Sequence, residues 1–227
     1  MLGSGSQGKV YRVQNRINGK HFAAKKVILP HDEKAKANVE REAHALHKLQ
    51  HPHIVQMIPP IYVVKEGSFG KSSNFRRFYA DDPRIIPFFF FKITLAKIHI
   101  FINIDYAMYM VMELCKKETL HQKIRQYNQQ KQLQSERENL LSWFQSIVSA
   151  VDYIHERGCL HRDLKPSNVF FAQDGAVRVG DLGLVKEDAY LTQTSGVGTL
   201  AYISPEQLNG RKYTKSSDIF PLGIFRK

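Results

Sequence analysis

The chain has 227 residues, 43% of them hydrophobic, and a formal net charge of +12. This length suits one domain or an incomplete larger one, and the two cysteines, Cys115 and Cys159, are too few for a disulfide framework, which favours a reducing compartment. The basic residues are spread along the chain without a dense cluster, so we expect no nucleic-acid interface, and no signal peptide is apparent.

A glycine-rich pattern, Gly-x-Gly-x-x-Gly-x-Val, opens the chain. Glycine allows the backbone to approach phosphates closely. The pattern alone is weak, because dinucleotide-binding folds also use it, but there it follows a strand and opens a helix. Here residues 9–13 alternate like a strand, which favours a hairpin lid over nucleotide phosphates. The residues of the pattern are Gly3, Ser4, Gly5, Ser6, Gln7, Gly8, Lys9 and Val10.

A lysine and a glutamate further along form a candidate ion pair. Residues 22–25 are typical of a strand, which directs Lys25 to one face and Lys26 to the other. A helix is predicted over 32–50, and Glu42 lies on its apolar stripe. A buried glutamate is costly unless paired, and Lys25 is the available partner. The alternatives are an ordinary solvated lysine and a rim glutamate. The stripe consists of Val39, Ala43, Leu46 and Leu49.

Residues 57–107 form a predicted insert, where a compact domain needs only a short hairpin. Segments 85–91 and 98–104 are rich in isoleucine and phenylalanine, a composition typical of β-rich, aggregation-prone sequence. Segment 67–74 is typical of a flexible loop. Charged residues interrupt every apolar run before about 18 residues, which excludes a membrane helix. Translated non-coding sequence is the alternative origin of this insert.

A second helix is predicted over 140–155, with Gly158 as its C-terminal stop. It leads the chain into the most informative segment, His161 to Asn168. The predicted core face of the helix consists of Leu140, Phe144, Ile147, Val148, Val151 and Ile154.

The octapeptide 161–168 carries the groups that phosphoryl transfer needs. Asp163 can orient and deprotonate a hydroxyl nucleophile, and Lys165 can neutralise charge on the moving phosphoryl group. Asn168 and Asp181 offer hard oxygen ligands suited to Mg²⁺. A chance surface loop is the alternative, and it does not account for eight ordered residues with a second motif downstream.

Taken in order, these motifs resemble those of eukaryotic protein kinases. Segments 42–52, 112–120, 163–171 and 204–208 are also similar to the kinases that phosphorylate the alpha subunit of translation initiation factor two. The resemblance implies an α+β, bilobal fold with a β-rich N-lobe and a helical C-lobe. It also implies that Mg-ATP binds between the lobes.

The resemblance assigns roles to individual residues. Asp163 becomes the catalytic base, Lys25 and Glu42 hold the ATP phosphates, and Asn168 and Asp181 bind Mg²⁺. Lys165 favours serine or threonine over tyrosine as acceptor. The hinge that holds adenine is assigned to Met112, Glu113 and Cys115. Further residues assigned to the nucleotide are Leu2, Ala23 and Phe170.

Two threonines are candidate regulatory residues. Thr194 lies where this family carries an activating phosphate, and Arg162 offers a bidentate guanidinium for it. Thr199 is expected to hydrogen-bond near Asp163 and Lys165.

The resemblance also sets expectations for the chain as a whole. The chain reads as an incomplete kinase domain over 1–227 that begins inside the glycine-rich loop and ends soon after an anchoring helix starts at Asp218, with Pro221 in its first turn. The expected substrate is a serine of the initiation-factor alpha subunit, and a second copy of the kinase is a candidate partner. The expected location is the cytoplasm, or the cytosolic face of a membrane if an upstream segment anchors it. The alternative is an inactive kinase fragment or a non-catalytic interaction module.

Overall fold

The computed structural model describes residues 1–5, 8–15, 18–65, 76–78, 91–93, 106–130, 136–181, 186–187 and 200–225. The chain divides into two compact units. Unit 1 comprises Met1–His47 and Gln56–Leu114, and unit 2 comprises Lys48–Val55 and Cys115–Lys227. Unit 1 is built on an antiparallel sheet and unit 2 mainly on helices, which confirms the predicted α+β, bilobal class.

Unit 1 contains one described helix beside its strands. Its elements are β1 (Gly3–Gly5), β2 (Gly8–Asn15), β3 (His21–Ile28), α1 (Glu33–His47), β4 (Met57–Lys65), β5 (Arg76–Phe78), β6 (Phe91–Ile93) and β7 (Tyr106–Glu113).

Unit 2 carries four described α-helices and four short strands. Its elements are α2 (Leu120–Gln130), α3 (Arg137–Glu156), β8 (Cys159–Leu160), β9 (Val169–Phe171), β10 (Val177–Val179), β11 (Lys186–Glu187), α4 (Pro205–Leu208) and α5 (Lys215–Ile224).

The sheet of unit 1 has the strand order β1-β2-β3-β7-β4-β5. Strand β6 pairs with the second half of β2, whereas β1 pairs with its first half. The two faces of the sheet bury different sets of side chains, as expected from the alternation of residues along a strand. One face is a cluster of Val13, Phe22, Ala24, Ala107, Tyr109 and Val111. The other packs against α1, and its cluster consists of Leu29, Ala43, Met108 and Met110.

Helix α3 forms the apolar centre of unit 2. Its buried stripe includes Ile147, Val151 and Ile154, and Gly158 ends the helix at φ 66° with its N–H on the His155 carbonyl at 3.1 Å. The predicted core face was too wide. Phe144 is 40% exposed and Val148 is 39% exposed, so neither belongs to the buried stripe.

Helix α5 begins one turn earlier than predicted. Thr214 is its N-cap and forms a capping box with Ser217, so the helix starts at Lys215 rather than at Asp218. Pro221 consequently lies inside the helix and not in its first turn, which corrects the expectation. The signal was in the sequence, since a threonine followed three residues later by a polar side chain marks a helix start.

Much of the predicted insert lies outside the described residues, including segments 67–74, 85–90 and 98–104. The parts that are described contribute strands β4, β5 and β6, and Lys65 is the direct cross-strand partner of Tyr106. None of the helices that the structure describes combines the length and the apolar character that a membrane crossing requires.

Candidate active site

The glycine-rich segment forms the predicted hairpin. Strands β1 and β2 pair with Gly3 opposite Val10 and Gly5 opposite Gly8, and the Leu2 N–H donates to the Val10 carbonyl at 2.8 Å. Gly8 has a φ of 122°, and a Cβ there would overlap the carbonyl oxygen of Lys26. Only glycine fits this position. The tip residues, Ser6 and Gln7, lie outside the described part.

Lys25 is buried in β3, on the sheet face that packs against α1. It pairs across the sheet with Val10 on one side and Met110 on the other. It is 7% exposed, whereas the neighbouring Lys26 is half-buried, which confirms the predicted alternation. Two strand positions away on the same face, Ala23 pairs with Met112.

Helix α1 packs on this face through Ala43. Ala43 is 1% exposed and packs in the cluster that contains Met110. Helix α1 therefore lies over the face that carries Lys25. The side chain of Glu42 is outside the described part, so the ion pair with Lys25 stays a prediction.

The predicted hinge runs across the boundary between the two units, which falls between Leu114 and Cys115. Glu113 exchanges two hydrogen bonds with Gln56. The Gln56 N–H donates to the Glu113 carboxylate at 2.9 Å, and the Glu113 N–H donates to the Gln56 carbonyl at 2.9 Å. Its side chain therefore fixes the end of β7. Met112 and Cys115 are half-buried.

In unit 2, the side chains of Lys165 and Asn168 both donate to the carboxylate of Asp163. Lys165 Nζ donates to both oxygens of Asp163, at 2.9 and 2.7 Å, and Asn168 Nδ2 donates to Asp163 Oδ2 at 2.9 Å. Asn168 Nδ2 also donates to the Asp163 main-chain carbonyl at 2.8 Å. These bonds hold an ionised carboxylate in one orientation. They use the nitrogen of the Asn168 amide, which leaves its oxygen as the atom suited to a cation.

His161 links this loop to the segment that carries Asp181. The Asp163 N–H donates to His161 Nδ1 at 3.3 Å, so the ring proton lies on Nε2, which contacts the Gly180 carbonyl at 3.2 Å. The Gly180 N–H in turn donates to the Asn168 carbonyl at 2.9 Å. Asp181 therefore follows directly on a residue bonded to both ends of the loop.

Gly180 is required by close packing. A Cβ at this position would lie 2.8 Å from the ring of Phe170 and 2.7 Å from Val55 Cγ2. Both distances are shorter than real contacts, so any side chain would displace the Phe170 ring or the Val55 side chain. Phe170, which the sequence assigned to the nucleotide, is half-buried in β9 and packs here.

Two non-glycine residues of the site have left-handed backbone conformations, Arg162 at φ 68° and Asp181 at φ 55°. Such conformations cost about 1–3 kcal/mol each and persist only where the surroundings enforce them. Arg162 directly precedes the predicted base, and Asp181 is itself one of the predicted metal ligands. Strained backbone of this kind is typical of active sites, which agrees with the sequence prediction.

Asp218 is the residue of the site that sequence reasoning did not assign. It is fully buried, and its Oδ2 accepts from the N–H of His161 at 2.8 Å and from His155 Nε2 at 2.8 Å. Its Oδ1 accepts from the N–H of Arg162 at 2.9 Å and from the Tyr213 hydroxyl at 2.5 Å. Burial acts to raise the pKa of Asp218, but the hydrogen bonds and the facing histidines outweigh it, so the pKa lies below 3.8.

The donors that converge on Asp218 explain how Arg162 is kept at positive φ. The carboxylate fixes two successive backbone N–H groups immediately before Asp163. No periodicity in the sequence signals this role, because the partners are more than 50 residues away along the chain. The one local hint is a carboxylate followed by the apolar run Ile219 to Leu222.

Asn168 and Asp181 are the residues that could hold Mg²⁺ together with the phosphate oxygens of a nucleotide. Within the described ranges, no group of three or more histidine, cysteine or acidic residues is arranged for a metal. Asn168 and Asp181 offer two oxygen ligands. Mg²⁺ is commonly held by one or two carboxylates together with phosphate oxygens and water, so this pair fits. Thr194 and Thr199 lie outside the described part.

Comparison with known proteins gives a consistent result. The family model for the protein kinase domain matches residues 1–69 and 91–226, so the unmatched stretch lies within the predicted insert. Interferon-induced, double-stranded RNA-activated protein kinase of Mus musculus is 33% identical over 228 residues, which cover 98% of this chain and 37% of that protein.

Two further relatives extend the comparison. Eukaryotic translation initiation factor 2-alpha kinase 3 of Rattus norvegicus is 41% identical over 133 residues, or 52% of this chain and 12% of that protein. Serine/threonine-protein kinase Nek4 of Mus musculus is 30% identical over 226 residues, or 98% of this chain and 23% of that protein. The chain spans well under half the length of each of these relatives.

Proposed function

Because the chain belongs to the protein kinase family, we propose that it is an ATP-dependent serine/threonine kinase whose catalytic base is Asp163. The observation that carries this proposal is the hydrogen-bonded set of Asp163, Lys165 and Asn168. A carboxylate held by a lysine and an amide is oriented for one task, and in phosphoryl transfer that task is to receive the proton of a hydroxyl.

In this mechanism Asp163 accepts a hydrogen bond from the substrate hydroxyl and takes its proton as the oxygen attacks the terminal phosphorus of ATP. The bond from that phosphorus to the β,γ-bridging oxygen breaks, and ADP leaves. Lys165, which already donates to Asp163, is within reach of the same region and offsets negative charge that develops on the phosphoryl oxygens. Asn168 and Asp181 would hold Mg²⁺, which supplies charge neutralisation to the phosphates when bound. The strained backbone at Arg162 fixes the direction of Asp163 before substrate arrives.

Unit 1 is proposed to bind the nucleotide. The β1–β2 hairpin would cover the phosphates with backbone N–H groups, and Lys25, paired with Glu42, would contact the α- and β-phosphates. Ala23, Met112 and the backbone from Glu113 to Cys115 would receive the adenine. Leu2 and Phe170 complete the proposed nucleotide set.

The proposed substrate is a serine of the alpha subunit of translation initiation factor two, so that the effect is reduced translation initiation. The support is the similarity to a kinase whose name states this substrate, together with the similar segments 163–171 and 204–208. Lys165 supports a serine or threonine acceptor. The same proposal includes a second copy of the kinase as partner and a cytoplasmic location. It also includes that this domain binds no nucleic acid.

Phosphorylation of the isolated alpha subunit tests the proposal. The chain is incubated with Mg-ATP and the subunit, and phosphorylated residues are mapped by mass spectrometry, with Asp163→Asn as the matched control. We expect phosphoserine on the subunit from the parent chain alone. Phosphate on other proteins but not on the subunit would refute the substrate, and phosphotyrosine alone would refute the acceptor class. No transfer to any protein by a folded chain would favour the inactive fragment.

A further inference from the structure

Tyr213 lies beside the catalytic loop without belonging to any motif of the sequence. Its hydroxyl donates to Asp218 Oδ1 at 2.5 Å, and that same oxygen accepts the Arg162 N–H at 2.9 Å. Its ring lies 5.9 Å from the Arg162 guanidinium carbon. Tyr213 therefore touches both the carboxylate that holds the loop and the side chain of the residue before Asp163.

The segment that carries Tyr213 is fixed at both ends. Ser204 forms a capping box with Gln207 at the start of α4, and Thr214 forms one with Ser217 at the start of α5. The second box is bonded to helix α4, because Ser217 Oγ donates to the Glu206 carboxylate at 2.5 Å. The tyrosine is thus presented to Asp218 from a well-braced turn rather than from a free loop.

The hydroxyl of Tyr213 is suited to a permanent donor role. Burial, followed by the negative charge of Asp218, raises the pKa of this phenol far above its ordinary value of 10.0. It stays protonated throughout the physiological range, and its proton faces a carboxylate that is ionised there. A short hydrogen bond to an ionised acceptor is among the stronger kinds in proteins.

We propose that Tyr213 is a positioning residue for the catalytic base. It holds Asp218 Oδ1 in the orientation that fixes the Arg162 N–H and flanks the Arg162 guanidinium, and through the strained backbone of Arg162 it sets the direction of Asp163. The inference rests on the proposed function of Asp163. It adds that the turn after α4 is connected to Arg162, the residue before the base, through two hydrogen bonds that share Asp218 Oδ1.

The test compares Tyr213→Phe with Tyr153→Phe in the full chain. The first substitution removes only the hydroxyl that contacts Asp218. The second removes a hydroxyl that accepts the Gln50 N–H at 3.1 Å, also in unit 2, and that makes no hydrogen bond to the catalytic loop among the residues that the structure describes. The control therefore loses one hydrogen bond while leaving the path to Asp163 intact. For each variant kcat, KM for ATP and amide hydrogen exchange at residues 161 and 162 are measured.

We expect Tyr213→Phe to lower kcat by about 10-fold, the size expected for one hydrogen bond to a charged group, with KM for ATP unchanged. Exchange at residues 161 and 162 should accelerate in this variant alone. Tyr153→Phe should keep the parental kcat. Unchanged kcat in Tyr213→Phe, or an equal loss in both variants, would overturn the inference.

The exchange measurement separates this inference from the proposed function. If the parent chain transfers no phosphate, the proposed function fails, and the amide hydrogen exchange measurement alone decides whether Tyr213 positions the loop. Faster exchange at residues 161 and 162 in Tyr213→Phe, relative to Tyr153→Phe, would still support the positioning role. Equal protection in the two variants would overturn it.

Discussion

Replacing Asp218 with alanine should cost more stability than any other single carboxylate removal in the described part of unit 2. The fully buried side chain accepts from two backbone N–H groups, one imidazole and one hydroxyl. Alanine leaves these donors facing an apolar methyl group. The imidazole and the hydroxyl can rotate, but the N–H groups of His161 and Arg162 are fixed by the backbone.

The magnitude follows from the donors that lose their acceptor. A buried donor without a partner costs about 1–3 kcal/mol, and breaking a buried charged pair costs about 3–5 kcal/mol. We expect Asp218→Ala to lower the free energy of unfolding by about 3–5 kcal/mol. Because a domain is typically stable by about 5–15 kcal/mol, this loss approaches the whole margin. Asp218→Asn keeps one acceptor oxygen and should cost less.

The sole tryptophan provides the assay. Trp143 packs edge-on against Phe171 at 5.0 Å and stacks with Tyr127 at 6.3 Å, so its fluorescence reports the core of unit 2. Urea unfolding of Asp218→Ala is compared with that of Asp152→Ala, which removes an exposed carboxylate from α3. The control should stay within about 0.5 kcal/mol of the parent. A midpoint for Asp218→Ala equal to that of the control would refute the reasoning.

Three further predictions concern pH, the insert and regulation. The pKa of Asp218 is depressed below 3.8 in the folded chain, so its contribution to stability is present above that value and is lost as pH falls through the lower folded pKa. The urea midpoint of the parent should therefore fall more steeply with acid than that of Asp218→Asn. Equal slopes in the two proteins would contradict this. Because Lys65 and Tyr106 are direct cross-strand partners, replacing residues 66–105 with Asn-Gly should close a hairpin between β4 and β7. The unfolding transition reported by Trp143 and the kinase activity should both stay unchanged. Loss of the cooperative transition would show that the insert is structural. Thr194→Ala should lower kinase activity after incubation with Mg-ATP, because a phosphate on Thr194 adds about −1.5 to −2 charge for Arg162 to bind. Full activity with no phosphate mapped to residue 194 would leave Thr199 as the remaining candidate regulatory residue.

Local patterns in the sequence were sufficient for the elements that surround the site. The alternation at residues 9–13 and 22–25 predicted β2 and β3, and the apolar stripe predicted α1, because these signals depend on neighbouring residues alone. The sequence assigned Asp163, Lys165 and Asn168 to one site, and the structure joins their side chains by hydrogen bonds. Hydrogen bonds between residues two and five positions apart depend little on the rest of the fold.

The remaining features depend on contacts between distant segments. The convergence of His155, His161, Arg162 and Tyr213 on Asp218 has no local signature, and neither does the requirement for glycine at residue 180. The width of the buried stripe on α3 was overestimated at Phe144 and Val148, because periodicity identifies a helix face but not how much of that face is covered.

The central claim is that Asp163 is the base of a protein kinase, and Asp163→Asn tests it most directly. The parent chain and the variant are compared for phosphoryl transfer from Mg-ATP to the initiation-factor alpha subunit and, separately, for ATP affinity by equilibrium titration. A positioned base contributes about 10²–10⁴-fold in rate, so kcat should fall by that factor while the dissociation constant for ATP stays close to the parental value. Equal kcat in the two proteins would contradict the account.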